Sequence, residues 1–380
     1  MQPGAMARII AQTGMPRLPA TLAEELSPSD LQSLLLFVYR NRAQAIREVA
    51  VLAQAERSPL VSPSSVDARL LNKFDHFAFA AANGFEAVDL SPVLPFGTTH
   101  VLGQIDQSNV LTTIRNAEVL GDSTPALALE CAHRRKHGPE RSKSPAIRLC
   151  STHRVVRLQP FDTPGFTPHF RLFSLVSGGR DTGSNSFECQ HLAEHIHAYL
   201  ELFRSLNSNG FSLHAPLVEF SDLTIAEVLL KSHGISQNEV RATVRAHIPE
   251  SSDEFLAERR IELPACIVDP AMELQDMAQQ FGFTIQQQRL IALKERVVDP
   301  LQDAHPEAQF RFNLRRLAGF NYYTALCLRI SPLAPDGIRY PVVDGGFTNW
   351  TARLLQDKKE RLLTSAIGSE FVCRRYCAIP

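Results

Sequence analysis

The sequence predicts an α+β fold, an antiparallel sheet flanked by helices and carrying a helical insertion. Three observations predict it. Short apolar segments with strand character recur near 85–96, 147–158, 170–176, 322–330 and 339–343, several of them close enough to pair as hairpins. Stretches with 3.6-residue periodicity fall between them. Residues 221–305 are helical, charged and short of strand signals, so they read as an insertion that splits the sheet-forming part in two. The expected organisation is a helical extension and linker over 1–66, a core over 67–220 and 306–380, and the insertion over 221–305.

In chain order, residues 1–20 are an irregular lead with prolines at 3, 16 and 19. Ser29 and Asp30 suit an N-cap, and a helix is expected from there to about Arg57, with Leu31, Leu34, Leu35, Val38, Ile46, Val49 and Leu52 at helical spacing. The Pro/Ser stretch 58–66 is a linker. A second helix over 67–83 closes on Gly84. Pro92 and Pro95 mark 85–96 as an edge strand or strand end, because proline cannot donate to a ladder. Further strands are expected at 126–130 and 147–158, separated by a solvated basic loop, and at 170–176. The helix over 187–206 buries Leu192, Ile196, Tyr199, Leu200 and Phe203. Past the insertion, strands return at 322–330 and 339–343, a helix runs from Trp350 to about Leu363, and 366–372 closes the core.

Composition narrows the function classes. With 44% hydrophobic and 21% charged residues in 380, the chain is neither a disordered tail nor a fibre. The net charge of −1 excludes a chain held to nucleic acid by bulk basicity. No apolar run is long enough for a bilayer, and the N-terminus lacks a secretory layout. Seven scattered cysteines suit a reducing compartment, so a cytoplasmic location is expected. Cys373 and Cys377 have no second pair to complete a zinc clip. Neither GxxxxGK[ST] nor GxGxxG nor GxSxG occurs. His191-Leu-Ala-Glu194-His195 matches the HxxEH pattern of inverted zinc peptidases, and Glu273 lies where a third ligand could follow. Leu192, Ile196 and Leu200 already fix the buried face of that helix, which assigns the three polar residues to its solvated side, so no metal is expected and a zinc peptidase is kept only as a remote alternative.

Local patterns in a fixed order carry more: GFEAVDLSPVLPF (84–96), GDSTPALALECAHRR (121–135), RLCSTHRVVRLQPFDTPGFTPHFRLFSLVSGG (148–179), LAGFNYYTALCLRI (317–330), VVDGGFTNW (342–350) and SAIGSEFV (365–372). This order resembles the catalytic core of histidyl-tRNA synthetase and its paralogue, the regulatory subunit of ATP phosphoribosyltransferase, over roughly 67–220 and 306–375. The resemblance implies a class II aminoacyl-tRNA synthetase-like core. It also implies an amino-acid pocket in which Glu130 of Leu127-Ala128-Leu129-Glu130 takes the amino group and Tyr322 and Tyr323 line the slot. Arg157 and Gln159 fall at the family's Arg-x-Glu grip on the nucleotide, with the acid replaced. The family's catalytic arginine falls on Ala318, its GGRYD on Gly345-Gly346-Phe347-Thr348-Asn349, and its ATP-stacking arginine on Phe371. Leu172 and Val176 stand where a glutamine and a glutamate read histidine.

Adenylate formation concentrates negative charge on a phosphate, so the loss of two arginines removes several kcal/mol of transition-state stabilisation. The chain also stops about ten residues after the last motif, where an anticodon-binding domain would begin, so tRNA charging is not expected. The implied function is a non-catalytic regulatory subunit of ATP phosphoribosyltransferase in histidine biosynthesis, with a catalytic phosphoribosyltransferase subunit as partner and no cofactor. The alternative is a stand-alone amino-acid-activating ligase that uses ATP and magnesium and a carrier or acceptor protein. A homodimer is expected through 67–96, because Leu70, Leu71, Phe74, Phe77, Ala78 and Ala81 make a broad apolar stripe.

Overall fold

The computed structural model describes residues 4–138, 145–159, 167–244, 251–320 and 322–377. Ten strands lie among them: β1 (Glu86–Ala87), β2 (Val93–Pro95), β3 (Ala117–Val119), β4 (Ile147–Val156), β5 (His169–Arg180), β6 (His214–Asp222), β7 (Gln309–Phe312), β8 (Leu326–Leu333), β9 (Val343–Thr348) and β10 (Glu360–Ile367). Eight of them form one sheet in the order β1-β4-β5-β10-β9-β8-β6-β7, and β2 pairs with β3 in a separate ribbon. The β1–β4 and β6–β7 pairs are parallel and the other five neighbours antiparallel. This is the mixed, mostly antiparallel sheet of an α+β fold. The connection between parallel β6 and β7 is a run of helices from Leu223 to Ala304.

Side-chain alternation in β5 assigns the two faces. Phe173 and Leu175 pack in the main core with Leu192 and Ile196 of the Ser186–Asn207 helix. Val176 packs instead with Leu127, Ala128 and Cys131 of the Ser123–His137 helix, while Ser174 bonds Ser123 across 2.6 Å. One face therefore meets the Ser186–Asn207 helix, and the other meets the Ser123–His137 helix and Trp350–Leu355.

Several expectations change, among them the irregular lead, which holds a helix over Ala5–Thr13. Residues 126–130 are helical, not extended. Asp122 accepts a hydrogen bond from the Thr124 amide (2.8 Å), Pro125 sits in the first turn, and Leu127, Ala128 and Cys131 then recur on one buried stripe. The helix expected to reach Leu363 ends at Leu355 on left-handed Gln356, and Leu362, Leu363 and Ile367 become the buried residues of central strand β10. Residues 369–376 are helical, so Cys373 is a buried thiol on the final helix. The N-terminal helix is two helices, Pro28–Gln44 and Glu48–Arg57, capped by Ser27 rather than Ser29, and neither buries a residue.

The Ala68–Ala81 helix, capped by Asp67, lies against both the Ser186–Asn207 and Ser369–Tyr376 helices. Its broad apolar stripe thus has two neighbours within the chain. The N-terminal arm is tied down just before this helix, where His169 Nε2 meets the Ser62 carbonyl at 2.7 Å and Ser64 Oγ donates to Glu370 at 2.5 Å.

Candidate functional site

The site grows from the N-terminus of the Ser123–His137 helix. Asp122 turns one oxygen inward to cap that helix and leaves the other, Oδ2, facing Tyr322 Oη at 3.2 Å and Arg157 Nη2 at 3.5 Å. Thr124 Oγ1 meets the same phenol at 2.9 Å. Arg157 Nε donates to the Gly121 carbonyl at 2.7 Å, and its guanidinium stands over the Phe170 ring at 5.1 Å. Tyr322 packs edge-on against Trp350 and Tyr323, with centroids 4.9 and 5.1 Å away. Burial, with Asp122 and Asp344 nearby, pushes both phenols well above their ordinary range, so they remain neutral hydrogen-bonding groups.

Tyr323 needs two glycines to lie where it does. A Cβ on Gly346 would come within 2.7 Å of its ring, and one on Gly319 within 3.1 Å. On the far side of the tyrosine pair is a cavity of about 230 Å³ between the core and the helices that follow β6. Its charged lining is Glu227, Arg241 and Arg353. Glu227 is held by Lys231 (2.7 Å) and Gln237 (2.5 Å). Arg241 Nη2 donates to the Phe320 carbonyl at 3.1 Å, while its buried Nε finds no partner among the described residues. That is a volume and a polarity suited to a small zwitterion.

The same face of the sheet carries charge on its other half. Strand register sets Arg311, Glu219, Arg329 and Asp344 side by side across β7, β6, β8 and β9. Arg311 Nη2 and Asn313 Nδ2 donate to one Glu219 oxygen at 2.7 and 2.9 Å. Buried Arg316 pairs with Asp344, donates to the Leu328 carbonyl at 2.9 Å and stands 5.7 Å over the Tyr323 ring. Arg329 is half-buried between Glu219 and Asp344, and no hydrogen bond or ion pair engages its guanidinium among the described residues. Burial and the neighbouring Arg316 lower its pKa.

The predicted residues divide. Tyr322, Tyr323 and Arg157 come together, and Gln159 lies two residues beyond Arg157 at the end of a described segment. Glu130 does not join them. It lies two turns along the helix from Asp122, where Arg134 Nε donates to it at 2.6 Å while the same arginine pairs with Glu86 at 2.7 Å. The expected position at a strand end beside Tyr323 is therefore corrected, because residues 126–130 are helical, and Asp122 is the carboxylate at the tyrosines. An Asp-Ser-Thr-Pro run is a helix-start signal and could have identified it. Leu172 and Val176 are buried on the Ser123–His137 side. Phe371 packs edge-on to Tyr340 at 5.7 Å. Ala318 supplies no cation, yet Arg316, two residues earlier, reaches the Tyr323 ring.

The HxxEH residues are not on a solvated face, as expected above. His191 and His195 are buried against the sheet. His195 Nδ1 and Nε2 meet the Ser365 and Ser177 hydroxyls at 2.7 and 3.0 Å, so both its nitrogens are engaged within the protein. Burial works to raise the Glu194 carboxyl, but His191, Gln190 and Arg148 hold it down to about 2. Glu273 accepts from the backbone amides of Val268 and Asp269 at 2.8 and 2.7 Å. This geometry is that of a structural network, not of a peptidase centre.

No protein-family model matches the chain, and no curated protein matches it by sequence. Solved structures do match. A histidyl-tRNA synthetase from Nostoc sp. PCC 7120 superposes with a TM-score of 0.60 at 16% identity, covering 83% of this chain and 74% of that one. An ATP phosphoribosyltransferase regulatory subunit/histidyl-tRNA synthetase from Bacillus halodurans gives 0.59 at 15%, covering 82% of each chain. A histidine–tRNA ligase subunit from Alicyclobacillus acidocaldarius gives 0.59 at 15%, covering 83% of this chain and 96% of that one. Among the described residues no helix is long and apolar enough to cross a membrane. The ordered motifs, the eight-stranded mixed sheet and these superpositions agree that the chain has a histidyl-tRNA synthetase-like fold.

Proposed function

We propose that this chain is a non-charging member of the synthetase-like group that binds a small amino acid and acts as the regulatory subunit of a cytoplasmic ATP phosphoribosyltransferase. The observation that carries the reading is the cavity of about 230 Å³ lined by Tyr322 and Tyr323. Glu227 in that lining offers a counter-charge for an ammonium and Arg241 one for a carboxylate, while Asp122 holds the Tyr322 hydroxyl from the other side of the ring. Ala318 and Phe371 at the two arginine positions of the family motifs speak against efficient adenylation. Apolar Leu172 and Val176 favour a side chain other than imidazole, which needs a polar partner when buried. The partner is a catalytic phosphoribosyltransferase subunit, and the chain pairs as a homodimer. Co-purification with such a subunit, with activity or feedback inhibition altered on mixing, is the expected result. Separate elution with unchanged kinetics rejects it.

Arg157, Arg316 and Arg329 favour a second reading, an amino-acid-activating ligase, because they return cations to the face where a phosphate would be held. Amino-acid-dependent pyrophosphate exchange with ATP and magnesium supplied decides between the two. Exchange above background with any amino acid establishes the ligase, and silence across all twenty leaves the regulatory reading.

A further inference from the structure

Away from the tyrosine pair, the Ser186–Asn207 helix meets the segment that ends the helical run before β7. His197 and Glu201 lie four residues apart on that helix, one turn above the other, on the side that faces His305. His305 follows the Asp299–Ala304 helix and is fully buried. One ligand atom from each of the three residues lies within 4.8 Å of the others. We propose that His197, Glu201 and His305 form a binding site for a zinc-class divalent cation that clamps the helical segment onto the core.

The donor set fits that class. Two imidazoles and one carboxylate are a zinc-type combination, too rich in nitrogen for calcium or magnesium. His197 Nδ1 and His305 Nε2 already face each other at 2.9 Å, which in the metal-free chain requires one of the two to carry the shared proton. Metal binding displaces that proton from between the two rings to the far nitrogen of the same imidazole, so both ligands stay neutral. The charged groups around the pair are Glu201, Glu307 and Arg204. Glu307, outside the ligand set, lies 3.7 Å from His305 Nδ1, so a carboxylate is at hand to orient the ring from its far side. Burial and Arg204 hold the His305 imidazole below the ordinary histidine range, in keeping with a neutral ligand.

Arg204 is the group that a cation would replace. Its guanidinium donates to Glu201 at 2.7 Å, to Glu307 at 3.2 Å and to His305 Nδ1 at 3.2 Å, and its side chain is half exposed. It thus serves as the counter-charge for the same carboxylates, and it has room to swing into solvent. Arginine and metal exclude one another here, so removing the arginine should strengthen the site. A merely structural network makes the opposite prediction, since loss of Arg204 would only loosen it.

The test uses the full chain stripped with a chelator and titrated with zinc by calorimetry, with cobalt as a spectroscopic probe of coordination. Wild-type protein should take up one equivalent, show the intense visible bands of a tetrahedral cobalt site and melt at higher temperature with zinc. His197→Gln, at an exposed position chosen to spare the fold, should lose at least about tenfold in affinity and lose the cobalt bands. Arg204→Met should bind zinc several-fold more tightly than wild type. Thirteen histidines can bind metal adventitiously, so the comparison with His197→Gln is decisive. Equal zinc affinity in wild type and His197→Gln, or no tightening in Arg204→Met, overturns the site.

Discussion

The two halves of the sheet face that borders the tyrosine pair are built on opposite principles. Across β5 and β10 this face carries Leu172, Ser174, Val176, Leu362 and Thr364, all buried, with the Ser123–His137 helix laid over β4 and β5. Its buried charge includes the pair Arg135 and Glu360, whose side chains are fully buried and joined by bonds of 2.5 and 2.8 Å. Across β9, β8, β6 and β7 the same face carries the alternating row Asp344, Arg329, Glu219 and Arg311, partly open to solvent. The difference teaches where a ligand's charge can be met. The covered half has given up polar recognition for packing, and the open half keeps guanidinium groups that neighbouring carboxylates only partly neutralise. The tyrosines stand at the boundary, with Tyr322 turned to Asp122 and Tyr323 to Arg316.

The sharpest break of this contrast is at its buried pair. Arg135→Met leaves Glu360 buried without its cation, which should destabilise the chain by about 3–5 kcal/mol. The double variant with Glu360→Leu should recover most of that loss, because the desolvation of both charges goes with them. In the open half, Arg311→Met should cost only about 1 kcal/mol, since its side chain is 31% exposed and its pair is screened. Urea unfolding of the four proteins checks the ordering. Similar losses for Arg135→Met and Arg311→Met would show that both halves bury charge alike.

A smaller effect concerns pH in the open half. Burial pushes the Glu219 carboxyl up, but the hydrogen bonds from Asn313 and Arg311 outweigh it and leave the pKa below its ordinary value of 4.5. A carboxyl depressed in the folded state contributes stability that is complete above the unfolded pKa and is lost as pH falls through the folded one. Glu219→Gln should therefore be less stable than wild type near neutrality by about 1–2 kcal/mol, and the gap should close as the pH falls below 4.5. Melting curves from neutral to acid pH read this directly, and a gap that widens toward acid contradicts it.

What the sequence revealed and what it hid follow the same division. Motif order sufficed for the synthetase-like fold, because Gly319, Gly346 and the tyrosine pair are constrained locally by close packing. The charged row was illegible, since it joins residues 219, 311, 329 and 344 only through strand register. Periodicity misplaced β10, whose leucines also fit a helix, and made a strand of 126–130, where Asp122 and Pro125 start a helix instead. It likewise turned His191 and His195 outward, although a helix covered on two sides buries more than one stripe.

The smallest expected effect separates the two carboxylates of the Ser123–His137 region. Glu130 forms an i,i+4 pair with Arg134, and its side chain is 38% exposed, so Glu130→Gln should cost only about 0.3–0.5 kcal/mol and leave amino-acid affinity unchanged. Asp122→Asn should also leave the helix start almost intact, because asparagine caps as well as aspartate. It removes the negative charge between Arg157 and the Tyr322 hydroxyl, however, and an ammonium lodged on the Asp122 side of that ring, outside the cavity, should then bind about tenfold more weakly. Calorimetric titration of both variants with the amino acid that binds wild type, beside a thermal melt of each, distinguishes them. A loss of affinity in Glu130→Gln would mean that the surface ion pair reaches the cavity through the helix. An unchanged affinity in Asp122→Asn would move the ammonium to Glu227, on the far side of the tyrosine rings and against the helical segment that follows β6.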